Sequence, residues 1–489
     1  MPLSSSDLAE LRALLGDAGV LASEAALFTY EADALTLERR PPDAVVLPRS
    51  TDEVCALVRW AGAKGIPIVP RGAGTGLAGG ATTELGGLSV SLNRMDQIVR
   101  VDEQRMLAWV QPGLVNLWLS QQLAPVKLYF APDPASQQVS SIGGNVSTNA
   151  GGPHCLKYGV TFNHLLAATV VLADGTAVTL GGEAPDAPGF DLLAVVTGSE
   201  GTCAIVTEVC VRLLPTPEGV KTLLFDFDTV EDACRTVSRV IAGGIVPAAM
   251  EIMDRYTTTL VEEWLHIGLP IDAAALLLIE VDGPVVTLEP QARRIAAIAR
   301  EQHARSERIA KDADERALLW KGRKSAFGAY GRAASGFTIM DGVVPRTRLA
   351  EALANVYAFA AEKNLEAGNV FHAGDGNLHP HVLFDASSPQ QHADALEVSH
   401  RILRMCIEYG GTISGEHGVG IEKRPMMAEL FTEDDLGTME RVRAAFDPDR
   451  RLNPGKILPG GAGCGEAKQH SFEAMRGYAA NANAEGPWI

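Results

Sequence analysis

An α+β protein of more than one domain is the fold class that this sequence predicts, and three observations predict it. The chain has 489 residues, too many for one ordinary hydrophobic core. Its first part opens as a strand–helix–strand pattern and then interleaves short strands with glycine-rich loops. After Lys221 the texture changes to longer strands alternating with helices, which suits a compact α/β sandwich. Pro215 and Pro217 mark the first boundary, so the expected division is 1–217, 218–414, a returning segment 415–459 and a tail 460–489.

The elements follow in order. "MPLSSSDLAELRALLG" reads as a surface helix capped by Asp7, with Glu10 three residues later and Leu8, Leu11 and Leu15 on one face. Short strands are expected at 44–47, 66–69, 88–92, 107–110, 167–172 and 202–214. Ser50 and Glu53 form a capping box that opens a helix running to Lys64. In the second part "KTLLFDFD", "AAMEIMD" and "ALLLIEVDG" read as strands, and Thr229 with Asp232 opens the helix "TVEDACRTVSRVIAGG". A further helix is expected at 434–446, and the tail after Pro459 reads as loosely ordered.

Composition limits the function classes. Hydrophobic residues at 46% and charged residues at 21% are those of a soluble globular protein. A formal net charge of -18 opposes binding to nucleic acid or anionic lipid through bulk electrostatics. An anionic substrate would then need a local cluster of positive charge or a metal ion. No apolar run approaches the roughly 18 residues of a spanning helix, and the N-terminus lacks the basic region of a secretion signal. Seven cysteines without a C-x-x-C imply a reducing compartment, no disulfide frame and no iron–sulfur cluster within the chain.

"PRGAGTGLAGGA" contains Gly74-x-Gly76-x-x-Gly79, the spacing of a dinucleotide fingerprint. A fingerprint of that kind needs a helix to open in the loop. Here "GGATTELGG" follows, which is a poor helix, and no Lys follows the glycines as a Walker A loop requires. Exposed backbone N–H groups in one concavity suit a diphosphate without that helix. "SSIGGNVSTNAGGPHCLKYG" adds glycines among Asn145, Ser147, Thr148 and Asn149, and "TGSEGTCAIVTEV" adds Gly198 and Gly201 before a strand. Three such loops predict backbone groups wrapped around a large nucleotide-like cofactor.

A polar cluster lies in "NVFHAGDGNLHPHVLF". Asp375-Gly376 signals a turn, so His372 and His379 are expected to converge across a hairpin, with His381 as a competing ligand. A divalent ion wants a third protein ligand. "TISGEHGVGIEKR" offers Glu416 as a carboxylate ligand and His417 as a base, since adjacent residues point different ways. "LWKGRKSAFGAYGR" supplies Arg323 and Lys324, and an Arg fork can bond both oxygens of a carboxylate.

These motifs, with "HAGDGNLHP", "GEHGVG" and "NPGKILP", stand in the order found in the FAD-linked oxidases that include D-lactate dehydrogenases, D-2-hydroxyglutarate dehydrogenase and the glycolate oxidase flavin subunit. The sequence resembles that family nearly to Pro459. "LWKGRKSAFGAYGR", "MDGVVP", "NVFHAGDGNLHP" and "AAFDPDRRLNPGK" carry the likeness to the glycolate oxidase FAD-linked subunit. The resemblance implies a two-part FAD-binding domain of the vanillyl-alcohol oxidase type, an α/β cap and a C-terminal segment returning to the FAD site.

The same resemblance implies a noncovalent FAD held by Arg71, Gly72, Gly74, Thr75, Gly76, Leu77, Gly79 and Gly80. Gly144, Asn145, Ser147, Asn149, Gly151, Gly152, Tyr158, Gly159, Gly201, Ile205, Val206 and Asn453 complete the implied cofactor set. It implies His372, His379 and Glu416 as ligands of a divalent ion (Zn, with Mn or Fe as alternatives), His417 as catalytic base and Arg323 as the carboxylate-binding residue. Where the hydroxyglutarate enzymes carry a Lys for a second carboxylate, Met340 is expected here, which favours a short monocarboxylate such as glycolate or D-lactate. The implied partners are a second FAD-domain subunit and an iron–sulfur subunit that accepts electrons. The implied location is cytoplasmic, with attachment at the inner membrane face through partners. A stand-alone D-lactate or D-2-hydroxyglutarate dehydrogenase, a metal-dependent hydrolase and a noncatalytic assembly subunit are the alternatives.

Overall fold

The computed structural model describes residues 3–184 and 188–460. The tail beyond Gly460 lies outside the described residues, so the expectation for it has no counterpart here.

Among the described residues three larger sheets organise the fold, beside a two-stranded ribbon of Leu128–Tyr129 and Leu214–Pro215. In the first, the strands run in the order Val20–Leu21, Ala44–Val46, Leu88–Ser91, Ile68–Arg71, and the last three are parallel. Thr51–Lys64 covers this sheet. The Ser50 hydroxyl accepts the Glu53 N–H at 3.2 Å to open the helix, and Gly65 at φ +66 closes it. Val54, Leu57, Val58 and Ala61 form its buried stripe against the strands. The first helix, Ser5–Leu15, starts one turn earlier than expected: Ser4 is the cap and Asp7 is the reciprocal partner. A hydroxyl ahead of the turn can receive the N–H of Asp7, whereas Asp7 as cap would have left that turn unwound.

The second sheet is antiparallel, in the order Ile98–Asp102, Leu107–Val110, Ile205–Arg212, Leu165–Val171, Ala177–Gly181. The third has seven strands, Ser306–Ile309, Gly219–Phe227, Ala275–Gly283, Ala249–Asp254, Glu366–His372, Pro380–Phe384 and Gly336–Ile339, in that order. Alternation along its strands assigns two faces. Leu223, Phe225 and Phe227 pack with Val230–Ala242, Val285–Glu301, Leu349–Glu362 and Pro389–Glu408. Leu224, Leu276 and Leu278 turn the other way, onto Arg255–Leu265, Ala313–Lys324 and Ala326–Ala333. Helices therefore cover both faces, as the strand–helix alternation predicts.

The C-terminal residues return to the first sheet. Leu452 bridges Ile68, and the Asn453 N–H donates to the Ile68 carbonyl at 2.7 Å. Buried Lys456 donates to the Thr82 carbonyl at 2.7 Å, and Arg424 grips Glu84 at 2.8 and 3.1 Å.

Candidate active site

A cavity of about 580 Å³ lies between the glycine loops and the seven-stranded sheet. Its two walls are made differently.

One wall is backbone. Residues 72–78, 80–81, 143–145, 147–148 and 200–201 line it, together with Arg71, Asp33 and Val206. No helix opens between Ile68–Arg71 and Leu88–Ser91, so the Gly74 pattern works here without a dinucleotide-fold helix terminus. Gly74 has φ +74, and a Cβ there would overlap the Arg71 guanidinium. Arg71 is 7% exposed, sits over the Tyr30 ring at 5.3 Å and leaves its Nη1 without a partner. A buried guanidinium with a free N–H among backbone donors suits a phosphate anion. Asp33, pushed up to about 6 by burial, accepts from the Leu35 and Ala81 N–H groups on the same wall.

The other wall is side chains. In the hairpin of Glu366–His372 and Pro380–Phe384, Asn369 pairs with Pro380 and His372 bridges Asn377. In that register His379 lies opposite Val370, two residues from His372 and on the same face. The two imidazoles are thus diagonal neighbours rather than directly opposed, with ring centroids 5.0 Å apart. Gly376 at φ +86 makes the turn. Glu416 Oε1 lies 3.1 Å from both His372 Nε2 and His379 Nε2.

Each imidazole is held from behind. Glu251, paired with His372 across neighbouring strands, meets its Nδ1 at 2.8 and 3.0 Å. The Met340 carbonyl lies 3.3 Å from His379 Nδ1. Both Nε2 atoms are thereby free to face one ion. Burial opposes a charge on His372, but the Glu251 and Glu416 carboxylates outweigh it and hold its proton well above the ordinary histidine range. A divalent cation would displace that proton.

Among the described residues, two sets of three ligand atoms lie within 4.8 Å of one another: His372, His379 and Glu416, and Asp341, His379 and His417. Asp341 is already committed to Lys423, Ser414 and backbone N–H groups, so the first set is the one that could hold a cation. The His417 ring stacks on His379 at 4.9 Å, and burial pushes its pKa down to about 4. Arg323, 8% exposed, gives its Nε to Glu251 Oε2 at 2.6 Å and lines the cavity.

The expected cofactor residues divide. Arg71, Gly72, Gly74, Thr75, Gly76, Leu77, Gly80, Gly144, Asn145, Ser147, Gly201 and Val206 line the cavity; Gly79, Asn149, Gly151, Gly152, Tyr158, Gly159, Ile205 and Asn453 do not. Several of the latter support the wall instead. Gly79 packs on Ile421, and Asn149 at φ +51 accepts the Phe162 N–H at 2.9 Å. Tyr158 reaches across to Asp282 at 2.5 Å, and Ile205 is buried in the core under the first sheet. The Asn453 amide donates to the Gly80 and Glu200 carbonyls at 2.9 and 2.6 Å.

His381 is buried, gives its Nδ1 to the His379 carbonyl at 2.8 Å and lines the same cavity. Met340 does not line it: it lies in the cap core at 2% exposure, and its neighbour Ile339 faces the cavity. The cavity-facing position is uncharged all the same. Glu251, Asp341 and Glu200 were not singled out from sequence. A lone Glu in the apolar run "AAMEIMD" was the one readable signal among them.

Comparison with known proteins adds the lineage. "FAD binding domain" describes residues 42–181, and "FAD linked oxidases, C-terminal domain" describes residues 216–457. The chain is 45% identical over 455 residues to the glycolate oxidase subunit GlcD of Escherichia coli (strain K12), covering 93% of this chain and 91% of that protein. It is 39% identical to the glycolate oxidase subunit GlcD of Bacillus subtilis (strain 168), covering 89% and 93%. It is 33% identical to a D-lactate dehydrogenase of Anaerostipes hadrus, covering 88% and 92%. In fold it matches p-cresol methylhydroxylase with substrate bound, at TM-score 0.77 and 18% identity, covering 93% and 98%. The glycine-loop wall, the helix-covered sheet facing it and this identity along nearly the whole length have one meaning: the chain belongs to the FAD-linked oxidase family.

Proposed function

We propose that this protein oxidises a short 2-hydroxy acid, glycolate or D-lactate, to the 2-oxo acid with noncovalent FAD and one divalent ion. The observation that carries the reading is the opposition of the two walls. A backbone cradle with an unpaired Arg71 N–H faces His372, His379, Glu416, His417 and Arg323 across one cavity. FAD, when bound, supplies the acceptor for the hydride leaving Cα, and the ion supplies Lewis acidity to the hydroxyl.

The protein's own groups do the rest. Arg323, already anchored through Nε, presents its remaining N–H groups to the substrate carboxylate. His417, kept neutral by burial, takes the hydroxyl proton. Phe327, Ile339 and Val370 give the cavity an apolar lining beside Arg323, which supports a small monocarboxylate over a dicarboxylate; Lys324 also lines the cavity, with its Nζ over the Trp320 ring at 5.5 Å. His154 has Asp133 Oδ2 at 2.7 Å and Glu280 Oε1 at 3.3 Å on its two ring nitrogens, which supports a flavin not linked to it.

Reoxidation falls to partners. The two GlcD relatives are named as subunits, and the cysteines among the described residues are dispersed and mostly buried. A second FAD-domain subunit and an iron–sulfur subunit are the partners proposed. Among the described residues no helix is long and apolar enough to cross a membrane; membrane attachment through the partners is part of the same proposal.

Anaerobic addition of glycolate, D-lactate and D-2-hydroxyglutarate to flavin-loaded protein, with metal analysis of the same sample, tests this. Bleaching by the two short acids, with about one divalent ion per chain, is expected. Protein that no 2-hydroxy acid bleaches sinks the reading, and one bleached best by hydroxyglutarate sinks its monocarboxylate part.

A further inference from the structure

The loop that carries Glu416 and His417 is held from outside itself. The N–H groups of Glu416, at 3.1 and 3.3 Å, and of His417, at 2.9 Å, converge on the Asp341 carboxylate. The Ser414 hydroxyl joins them at 2.7 Å. A few residues on, the N–H groups of Val419, at 2.7 Å, and of Gly420, at 3.1 and 2.9 Å, converge on Glu200. The two carboxylates come from opposite sides of the cavity. Asp341 follows Gly336–Ile339 of the seven-stranded sheet, and Glu200 precedes Ile205–Arg212 of the five-stranded one. Asp341 is 0% exposed and Glu200 6%.

Successive N–H groups wrapped on an anion form a nest, and here the anion is built in. Gly418, at φ +85, would place a Cβ 2.8 Å from Glu200 Oε1, so the glycine admits that carboxylate. Asp341 has a further reach. Its Oδ1 accepts from the Asn377 amide at 3.0 Å, inside the turn between His372 and His379. One carboxylate thus ties the histidine hairpin to the loop bearing Glu416 and His417.

We propose that Asp341 and Glu200 are positioning residues. Asp341 sets Glu416 and His417 against the histidine pair, and Glu200 sets the far end of the same loop against the cofactor wall. The proposal rests on the metal and base roles proposed above. Its rival is that Asp341 merely neutralises Lys423, whose Nζ lies 3.0 Å away, which is equally buried and which itself donates to the Gly418 carbonyl of the same loop at 2.9 Å.

Four variants separate these: Asp341→Asn, Lys423→Met, the double variant Asp341→Asn/Lys423→Met, and Glu200→Gln, each flavin-loaded beside the wild type. Removing both members of the ion pair avoids leaving one charge stranded, so the double variant is expected to melt closer to wild type than Asp341→Asn alone. Lys423→Met, which keeps the Asp341 carboxylate and gives up only the Lys423 bonds to it and to the Gly418 carbonyl, is expected to retain its ion like wild type, whereas the double variant is still expected to lose its ion to a chelator at about 10- to 100-fold lower concentration. Its bleaching rate constant should fall on the order of 100-fold with little change in KM. Glu200→Gln is expected to keep its ion and melting temperature and to lose about tenfold in the bleaching rate constant, since a single reoriented loop end misplaces the base. A double variant that regains ion retention and bleaching along with its melting temperature makes Asp341 a counter-ion and overturns its role. Wild-type bleaching in Glu200→Gln overturns the other half. Wild-type protein that itself holds no ion overturns the underlying reading, and this proposal with it, a result separable from any variant effect.

Discussion

The two walls of the cavity solve opposite problems. In the proposed function the glycine wall lets backbone come close to a large anionic cofactor, which suits a wall short of side chains that keeps one buried cation, Arg71. The cap wall must hold ionisable groups out of water, so its carboxylates are paired, Glu251 with Arg323 and His372, Asp341 with Lys423 and Glu416 with two histidines, while the His417 Nδ1 is left without a partner. A wall that works through shape is broken by adding an atom. A wall that works through charge is broken by removing one, because the partner is left buried and unpaired.

Three experiments would sharpen or break that contrast, taken from the largest effect down. Glu251→Gln removes the carboxylate that holds both His372 Nδ1 and Arg323 Nε. It is expected to lower ion affinity about 10- to 100-fold and to slow bleaching more than any change on the glycine wall. Chelator titration with stopped-flow reduction checks this, and a variant within twofold of wild type in both would break the charge side of the contrast. Gly74→Ala adds one carbon at φ +74 against the Arg71 guanidinium. About 1 kcal/mol of backbone strain plus displacement of Arg71 should weaken flavin binding by roughly tenfold, read by flavin release on dilution, with ion content unchanged.

The third is a matter of pH. Burial is the largest influence on His417 and pushes it down to about 4; Lys423 and His379 push the same way, while Asp341 and Glu416 oppose. A base neutral above that point loses activity only as the pH falls through it. A cation bound beside His417 would push in the same direction, so the bleaching rate at saturating metal is expected to hold as the pH falls through the ordinary histidine range of about 6.5. A fall centred near the ordinary histidine value would show that the cap wall does not keep His417 neutral.

How much of this was legible follows from what kind of information each feature needs. The hairpin was, because the Asp375-Gly376 turn and the strand period are local. Even so, the diagonal placement of His372 and His379 came from a register that the turn alone does not specify. The helix Thr51–Lys64 was legible from its Ser50 cap, while the first helix was misread by one turn because Ser4 and Asp7 are both good caps. Met340 was expected at the substrate end. Its place in the core, with Ile339 at the cavity, depends on strand phase at the sheet edge.

By itself, then, the sequence determined the two-part α+β organisation, the glycine loops without a dinucleotide-fold helix, and the residue types of the cap cluster. Each is written in periodicity, turn chemistry or composition over a few neighbouring residues. Only the tertiary structure decided that Glu251 backs His372 from 121 residues away, that Asp341 joins the hairpin to the Glu416 loop, and that Glu200 meets that loop from the opposite side. The physical reason is that a buried carboxylate is stable only where distant donors converge on it, and convergence belongs to the folded arrangement rather than to any one segment of the chain.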